Sequence, residues 1–208
     1  MLGALRIPSH ELFALLIAIS FAAGLNVYAT VATLGLLAHF GVFPLPPALQ
    51  LLSSWYVIAV SGILFSIELF ADKIPVFDLL WNALHTFVRV PVAALLAYGA
   101  SAQLSPGWQL FATLLGGVIA LAAHGGKTAV RAAVTPYPEP ISNVTLSLGE
   151  DALAIFLTWL ATRHPYCAAM IALGLVLVIV VLIRWIVRAL RNMLRRAGNE
   201  LDVIAHKI

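Results

Sequence analysis

The stretch from Asp72 to Pro91 reads DKIPVFDLLWNALHTFVRVP, and it interrupts a chain that is otherwise strongly apolar. Its large apolar side chains share one face of a helical wheel, namely Phe77, Leu80, Leu84 and Phe87. Its polar side chains and a tryptophan share the other face, namely Asp78, Trp81, Asn82, His85 and Arg89. This spacing predicts an amphipathic helix over residues 75–90, opened by Pro75 and closed by Pro91.

Two environments suit such a helix. It can lie in the membrane interface with its apolar face toward the acyl chains. Alternatively it is a re-entrant segment whose polar face lines a water-filled cavity, where irregular backbone is tolerated. We expect the rest of the chain to be built around this polar face.

The composition indicates an integral membrane protein. The 208 residues are 62% hydrophobic and only 10% charged, whereas a soluble domain carries roughly a quarter charged residues. The mean hydropathy is +1.00. This length suits about six spans of roughly 20 residues each. The only cysteine, Cys167, excludes an internal disulfide and a cysteine-based metal cluster.

We therefore predict an all-α, polytopic transmembrane helical bundle over residues 1–183, followed by a basic amphipathic cytoplasmic tail over residues 184–208. Five arginines follow the last apolar block, namely Arg184, Arg188, Arg191, Arg195 and Arg196. Such a cluster is typical of a cytoplasmic end that faces anionic lipid. Six spans with both termini in the cytoplasm also place nearly all the other cations inside. No soluble basic domain is present, so nucleic acid is not an expected partner.

A weak internal similarity suggests two halves of three spans each, over residues 1–104 and 105–183. Ala22-Ala23-Gly24 is echoed by Ala122-Ala123-His124, each beside an interruption of a long apolar block. Such halves would form an inverted repeat, as in many transporters. The alternative is that alanine-rich helices match by chance.

The first interruption of an apolar block is Gly24-Leu25-Asn26, followed by Tyr28. One interpretation is a helix–helix contact, in which glycine permits close approach and Asn26 makes an interhelical hydrogen bond. The other is a broken helix whose exposed backbone dipoles belong to a binding site.

The second interruption is His124-Gly125-Gly126-Lys127. Two adjacent glycines can unwind a helix and leave the flanking histidine and lysine at a site. Alternatively, the helix simply ends at the interface with a snorkelling lysine.

The third interruption puts Asn143, Ser147 and Glu150 on one helical stripe, with Asp151 beside it. A carboxylate more than two turns inside a span is costly, so it usually faces a cavity or a partner. We assign Glu150 to a cavity and Asp151 to an ion pair with Lys127 or Arg131.

The candidate pathway for a substrate or ion combines these motifs with the charged residues near the amphipathic helix. Its members are Asn26, Tyr28, Glu68, Asp72, Lys73, Asp78, Trp81, His85, Arg89, His124, Lys127, Arg131, Glu139, Asn143, Ser147, Glu150 and Asp151. The chain has no HExxH, GxSxG or Walker loop. We therefore predict no catalytic residue, no metal site and no cofactor.

Four segments resemble a bacterial integral-membrane family described only as a domain of unknown function, number forty-one twenty-six. They are GLNVYAT (24–30), ADKIPVFDLLWNALHTFVRVP (71–91), HGGKTAVR (124–131) and PEPISNVTLSLGEDAL (138–153). The resemblance implies a multi-pass protein of the bacterial inner membrane, and it implies no substrate or activity. It does not extend to the arginine-rich tail.

The sequence thus favours a small transporter or channel for an ion or a small polar or anionic solute, with proton coupling as one option. The runner-up is a protein that binds lipid headgroups or organises the membrane, and an intramembrane enzyme comes third. Expected partners are membrane lipids, the solute, and further copies of the chain in a homo-oligomer.

Overall fold

The computed structural model describes the backbone of residues 8–71, 75–134 and 140–205. Within these ranges it describes the side chains except those of residues 75–83, 131–134, 140–143, 190, 193–194 and 196–205. All regular structure in the described ranges is helical, which confirms the all-α prediction. The helices are α1 (Ser9–Leu25), α2 (Val27–His39), a 3-10 helix (Pro47–Ser53), α3 (Trp55–Ala71), α4 (Pro75–Ala100), α5 (Pro106–Val134), α6 (Pro140–Arg163) and α7 (Pro165–Ala205).

Helix α1 is the centre of the bundle, because it packs against α4, α5, α6 and α7. Most of its side chains are buried, and Leu15, Phe21 and Ala22 belong to the core. A Cβ on Gly24 would collide with the carbonyl oxygen of Ala120 and would lie 2.7 Å from the Ala123 Cβ. The structure therefore confirms the predicted close approach at Gly24, which joins α1 to α5.

The surface of the bundle is apolar in the way expected of a surface that faces lipid. Helix α5 exposes Leu114, Val118 and Leu121, while it buries His124 and Lys127. Within the described part of the chain, three helical segments are long and apolar enough to cross a membrane, namely Pro106–Val130, Val144–Arg163 and Pro165–Ala189. The count rises to four if the bent pair formed by the 3-10 helix and α3 is one span. The predicted number of about six spans is therefore not confirmed.

Helix α4 corrects the expected boundary at Pro91, because it continues through this proline to Ala100. The segment predicted over residues 75–90 is thus the first part of a longer helix of 26 residues. Neighbouring helices can compensate for the hydrogen bond that a proline removes, so prolines are tolerated inside membrane helices. The face that carries Phe87 points outward with 82% of this side chain exposed, whereas Arg89 is fully buried.

The sequence had led us to expect that helix α5 unwinds or ends at Gly125 and Gly126, but the helix continues through both to Val134. A Cβ on Gly126 would lie 2.5 Å from the Ile179 side chain, so this glycine admits α7. Away from water, a continuous helix is strongly favoured since it satisfies every backbone group internally. Gly126 therefore serves packing, whereas a Cβ on Gly125 would meet nothing within 4 Å, and the helix remains intact.

Helix α7 runs for 41 residues without a break at Ile183. At 1.5 Å per residue it is about 60 Å long, about twice the thickness of a bilayer core. The basic segment after Ile183 continues the same helix as far as Ala205. The division into a membrane domain and a tail that lies on the inner surface stays a prediction.

Candidate functional site

The chain breaks between α1 and α2 at a single residue, Asn26, whose φ of −147° and ψ of 105° are extended. The Asn26 side-chain oxygen accepts a hydrogen bond of 2.9 Å from the Ala29 backbone N–H, which caps α2. The Lys127 ammonium lies 3.5 Å from the Leu25 carbonyl oxygen on the other side of the break. A side chain of the same segment and a cation from α5 thus satisfy backbone groups that the break releases.

The Asn26 amide also joins the break to α6. It donates a hydrogen bond of 2.8 Å to the Asp151 carboxylate, and both residues are buried. The helix is therefore broken and Asn26 also makes an interhelical hydrogen bond, whereas a binding site at this break stays a prediction.

Helices α3 and α4 are joined by an ion pair between Glu68 and Arg89, and both side chains are fully buried. The Lys127 ammonium lies 3.8 Å from the same Glu68 oxygen. Glu68 thus lies between two cations that come from α4 and α5. The three charges therefore meet inside the bundle.

His124 of α5 is fixed by two neighbours on α4. Its Nδ1 lies 2.9 Å from Arg89 Nη1, and its Nε2 lies 2.7 Å from the Thr86 hydroxyl. A guanidinium only donates hydrogen bonds, so Nδ1 must accept. This assigns the proton of a neutral imidazole to Nε2, which donates to Thr86.

Lys127 forms an ion pair with Glu150, the carboxylate that was expected to face a cavity. Its ammonium lies 3.1 Å from Glu150, whose side chain is 13% exposed. Asp151, which was expected to pair with Lys127 or Arg131, accepts the hydrogen bond from Asn26. The side chain of Arg131, the other expected partner, lies outside the described residues.

A second polar pair connects this network to a cavity. The Tyr28 hydroxyl lies 3.0 Å from His85 Nε2, and the two rings meet edge to face. His85 is one helical turn before Arg89 on α4. Tyr28 also lines a cavity of about 520 Å³ between α2, α3, α4 and the 3-10 helix.

The structure describes the side chains of only some of the predicted pathway residues. It brings nine of them into the contacts above, namely Asn26, Tyr28, Glu68, His85, Arg89, His124, Lys127, Glu150 and Asp151. Ser147 is buried on α6. The side chains of the other seven lie outside the described residues, namely Asp72, Lys73, Asp78, Trp81, Arg131, Glu139 and Asn143. Among the described side chains, no three histidines, cysteines or carboxylates are arranged to hold a metal ion.

The sequence did not single out Thr86 or the residues around the cavity. Thr86 follows His85 and orients His124. Threonine is common in membrane helices, so its presence gave no signal. The apolar residues around the cavity were expected only as parts of spans. Their alignment depends on how α3 and α4 diverge, which the spacing along one helix does not reveal.

Comparison with known families gives one result. A family model described as "Domain of unknown function (DUF4126)" matches residues 13–185, which include every described residue of the buried network. Neither a curated protein nor a solved structure matches the chain.

Proposed function

Because the chain belongs to the DUF4126 family, whose description names no activity, we propose from the geometry that it is a small proton-linked membrane transporter. The ion pair between Glu68 and Arg89 acts as its gate. The observation that carries this proposal is the position of a fully buried carboxylate, Glu68, at the contact between α3 and α4.

Helix α3 is the least enclosed of the helices that carry the network. It packs mainly against α2, with smaller contacts to the 3-10 helix and α4. Its outward side exposes Val60, Ile63 and Ile67. Such a helix can move relative to α4 with little loss of packed surface, so an ion pair across this contact is well placed to hold the closed state.

Protonation of Glu68 supplies the coupling. Its charge is opposed by Arg89 on α4 and Lys127 on α5. A neutral Glu68 would leave these cations with less compensation, which is expensive inside a bundle. The contact between Glu68 and Arg89 then no longer stabilises the closed state, and α3 separates from α4. Carboxylates in this role are a recurring feature of proton-driven transporters.

The broken helix supports the same proposal. Discontinuous helices are the usual way in which transporters offer backbone dipoles to substrates and ions. Here the break at Asn26 is tied to α5 through Lys127 and to α6 through Asp151. A change at Glu68 reaches the break through Lys127, which contacts both.

The proposal is tested by proton flux in liposomes. The purified protein is reconstituted with a pH-sensitive dye inside, and a pH gradient is imposed. We expect the parent to dissipate the gradient faster than protein-free liposomes, and Glu68→Gln to abolish this difference. Glu11→Gln is the matched control, because Glu11 lies in the first turn of α1 outside the network.

A single substitution could prevent folding, since it leaves Arg89 buried beside a neutral partner. The double variant Glu68→Gln/Arg89→Gln removes both charges, so it provides the same test in a folded protein. Equal flux in the parent and in protein-free liposomes contradicts the transport proposal. Parent-like flux in both the single and the double variant contradicts the role of Glu68.

A second candidate function rests on α7. Four exposed arginines follow the apolar part of this helix with spacings of three or four residues, namely Arg184, Arg188, Arg191 and Arg195. This stripe favours binding to anionic lipid headgroups on the cytoplasmic side. Binding of phosphatidylserine to the detergent-solubilised protein, comparing the parent with a four-fold Arg→Gln variant, tests this role.

We further propose that the membrane is the bacterial inner membrane and that both termini face the cytoplasm. The placement of the arginine stripe after the last apolar segment supports this orientation.

A further inference from the structure

The cavity of about 520 Å³ is a consequence of how three helices meet the 3-10 helix. The 3-10 helix lies against α2, where a Cβ on Gly35 would be 2.5 Å from the Leu52 carbonyl oxygen. The chain then bends by 64° into α3. Helix α3 consequently diverges from α4 on this side, and the two helices meet again at Glu68 and Arg89.

The cavity lies within one helical turn of the ion pair. Its lining includes Leu64 on α3, four residues before Glu68, and Val92 on α4, three residues after Arg89. Tyr28 lines it from α2 and contacts His85, which is four residues before Arg89. A molecule in the cavity would therefore contact the same surfaces that separate when α3 moves.

The chemistry of the lining selects the occupant. Most lining side chains are aliphatic, and the polar ones are the hydroxyls of Tyr28, Ser61 and Tyr98. Among the described side chains that line this cavity, none is charged. An ion or a strongly polar solute would lose its hydration there without replacement, which is costly.

The hydroxyls provide a limited hydrogen-bonding capacity. The Tyr28 hydroxyl uses one interaction with His85 and retains capacity for a second, because a hydroxyl has one donor and two acceptor sites. Apolar walls with a few polar groups, enclosing roughly 300–1,000 Å³, are typical of small-molecule sites.

The side of the cavity next to α4 reaches the apolar surface of the bundle. Leu95 and Tyr98 line the cavity, yet 65% and 52% of these side chains are exposed. The neighbouring surface of α3 carries the exposed Val60 and Ile63. A molecule that enters here comes from an apolar surface.

From these observations we propose that the cavity is the solute site of the transporter, and that it takes a neutral, largely aliphatic molecule with one hydroxyl or carbonyl group. This inference rests on the proposed function and replaces the polar or anionic solute expected from the sequence. The aliphatic part packs against α2, α3 and α4, and the polar group bonds to the Tyr28 hydroxyl. Entry occurs laterally, from the bilayer.

The test is photolabelling of the protein in nanodiscs with a diazirine analogue of decanol, followed by peptide mapping. We expect labels on residues of the lining, among them Tyr28 and Leu64. Excess decanol should compete for labelling, and inorganic phosphate should not. Labels confined to outward residues such as Val60 would overturn the proposal, as would competition by phosphate.

Two substitutions on α3 provide a matched pair. Leu64→Trp fills the cavity and should lower labelling of Tyr28 about tenfold, which corresponds to about 1.4 kcal/mol of binding. Ile67→Trp adds the same ring at an exposed position of α3 away from the entrance and should leave labelling unchanged. If Leu64→Trp does not fold, Ser61→Leu replaces it, with the exposed Ser66→Leu as its control. Equal labelling in both members of a pair overturns the site.

Photolabelling requires no proton flux, so the transport proposal and the cavity site can be refuted independently of each other. Labelling of the lining without proton flux refutes transport and keeps the site. Proton flux without labelling of the lining keeps transport and refutes this site.

Discussion

Glu68 near the end of α3 and Arg89 within α4 form an ion pair in which neither side chain has any exposed surface. Removing one partner of a buried pair leaves an uncompensated charge, whereas removing both does not. We therefore expect Glu68→Gln and Arg89→Gln each to lower the free energy of unfolding by about 3–5 kcal/mol. The double variant should lose much less than the sum of the two single variants.

The measurement is the free energy of unfolding in mixed micelles, arranged as a double-mutant cycle. Arg184→Gln is the control for loss of a positive charge, because Arg184 is exposed on α7. Additive losses in the cycle would show that the two residues do not interact.

Asn26 has two separable roles, as the cap of α2 and as the donor to Asp151. Asn26→Ala loses both and should destabilise the protein by about 2–4 kcal/mol, combining a lost cap with an unsatisfied buried group. Asn26→Asp keeps a good capping oxygen but sets a second carboxylate against Asp151. We expect this variant to be unstable at neutral pH and to recover as the pH falls. Thermal stability measured across pH would contradict this account if Asn26→Asp behaved like the parent throughout.

Gly24 allows α1 to touch α5, so a methyl group there should force the helices apart. We expect Gly24→Ala to lower the free energy of unfolding by about 1–3 kcal/mol, the usual cost of overpacking. Gly62→Ala on α3 is the control, since nothing lies within 4 Å of its added Cβ. That variant should be neutral or slightly stabilising, because alanine favours a helix by about 0.5–1 kcal/mol over glycine. A Gly24→Ala protein as stable as Gly62→Ala would refute the close contact.

The sequence was informative where a residue breaks the local pattern. Asn26 follows a glycine inside an apolar block, and the structure breaks the helix there. Pro75 begins α4 as predicted, since proline suits the first turn of a helix. The buried polar face of α4 was also recognisable, because His85 and Arg89 share one side.

The sequence was misleading where the surroundings override local preference. Pro91 and the glycine pair Gly125-Gly126 disturb a helix in water, yet both lie inside continuous helices here. The sequence also could not decide whether Glu150 or Asp151 contacts Lys127, because adjacent residues on a helix point about 100° apart. Only the rotation of α6 relative to α5 decides that Glu150 meets Lys127. The cavity depends on a 64° bend, which no spacing in the sequence indicates.

The proposed orientation is open to a direct test through Cys167, the only cysteine, which is exposed near the start of α7. We expect an impermeant thiol reagent to label it in right-side-out vesicles and to label it poorly in inverted ones. Detergent-solubilised protein serves as the control for full labelling. Preferential labelling in inverted vesicles would reverse the orientation.

The most direct test of the gate is the distance between α3 and α4 as a function of pH. Spin labels are attached at Ile63→Cys and Phe87→Cys, two exposed positions on these helices, in a Cys167→Ser protein held in nanodiscs. Double electron–electron resonance then reports the distribution of distances. We predict that acid pH adds a longer distance, and that Glu68→Gln shows this longer distance already at neutral pH. A distribution that is unchanged by both pH and Glu68→Gln would contradict the central claim that Glu68 holds the gate closed.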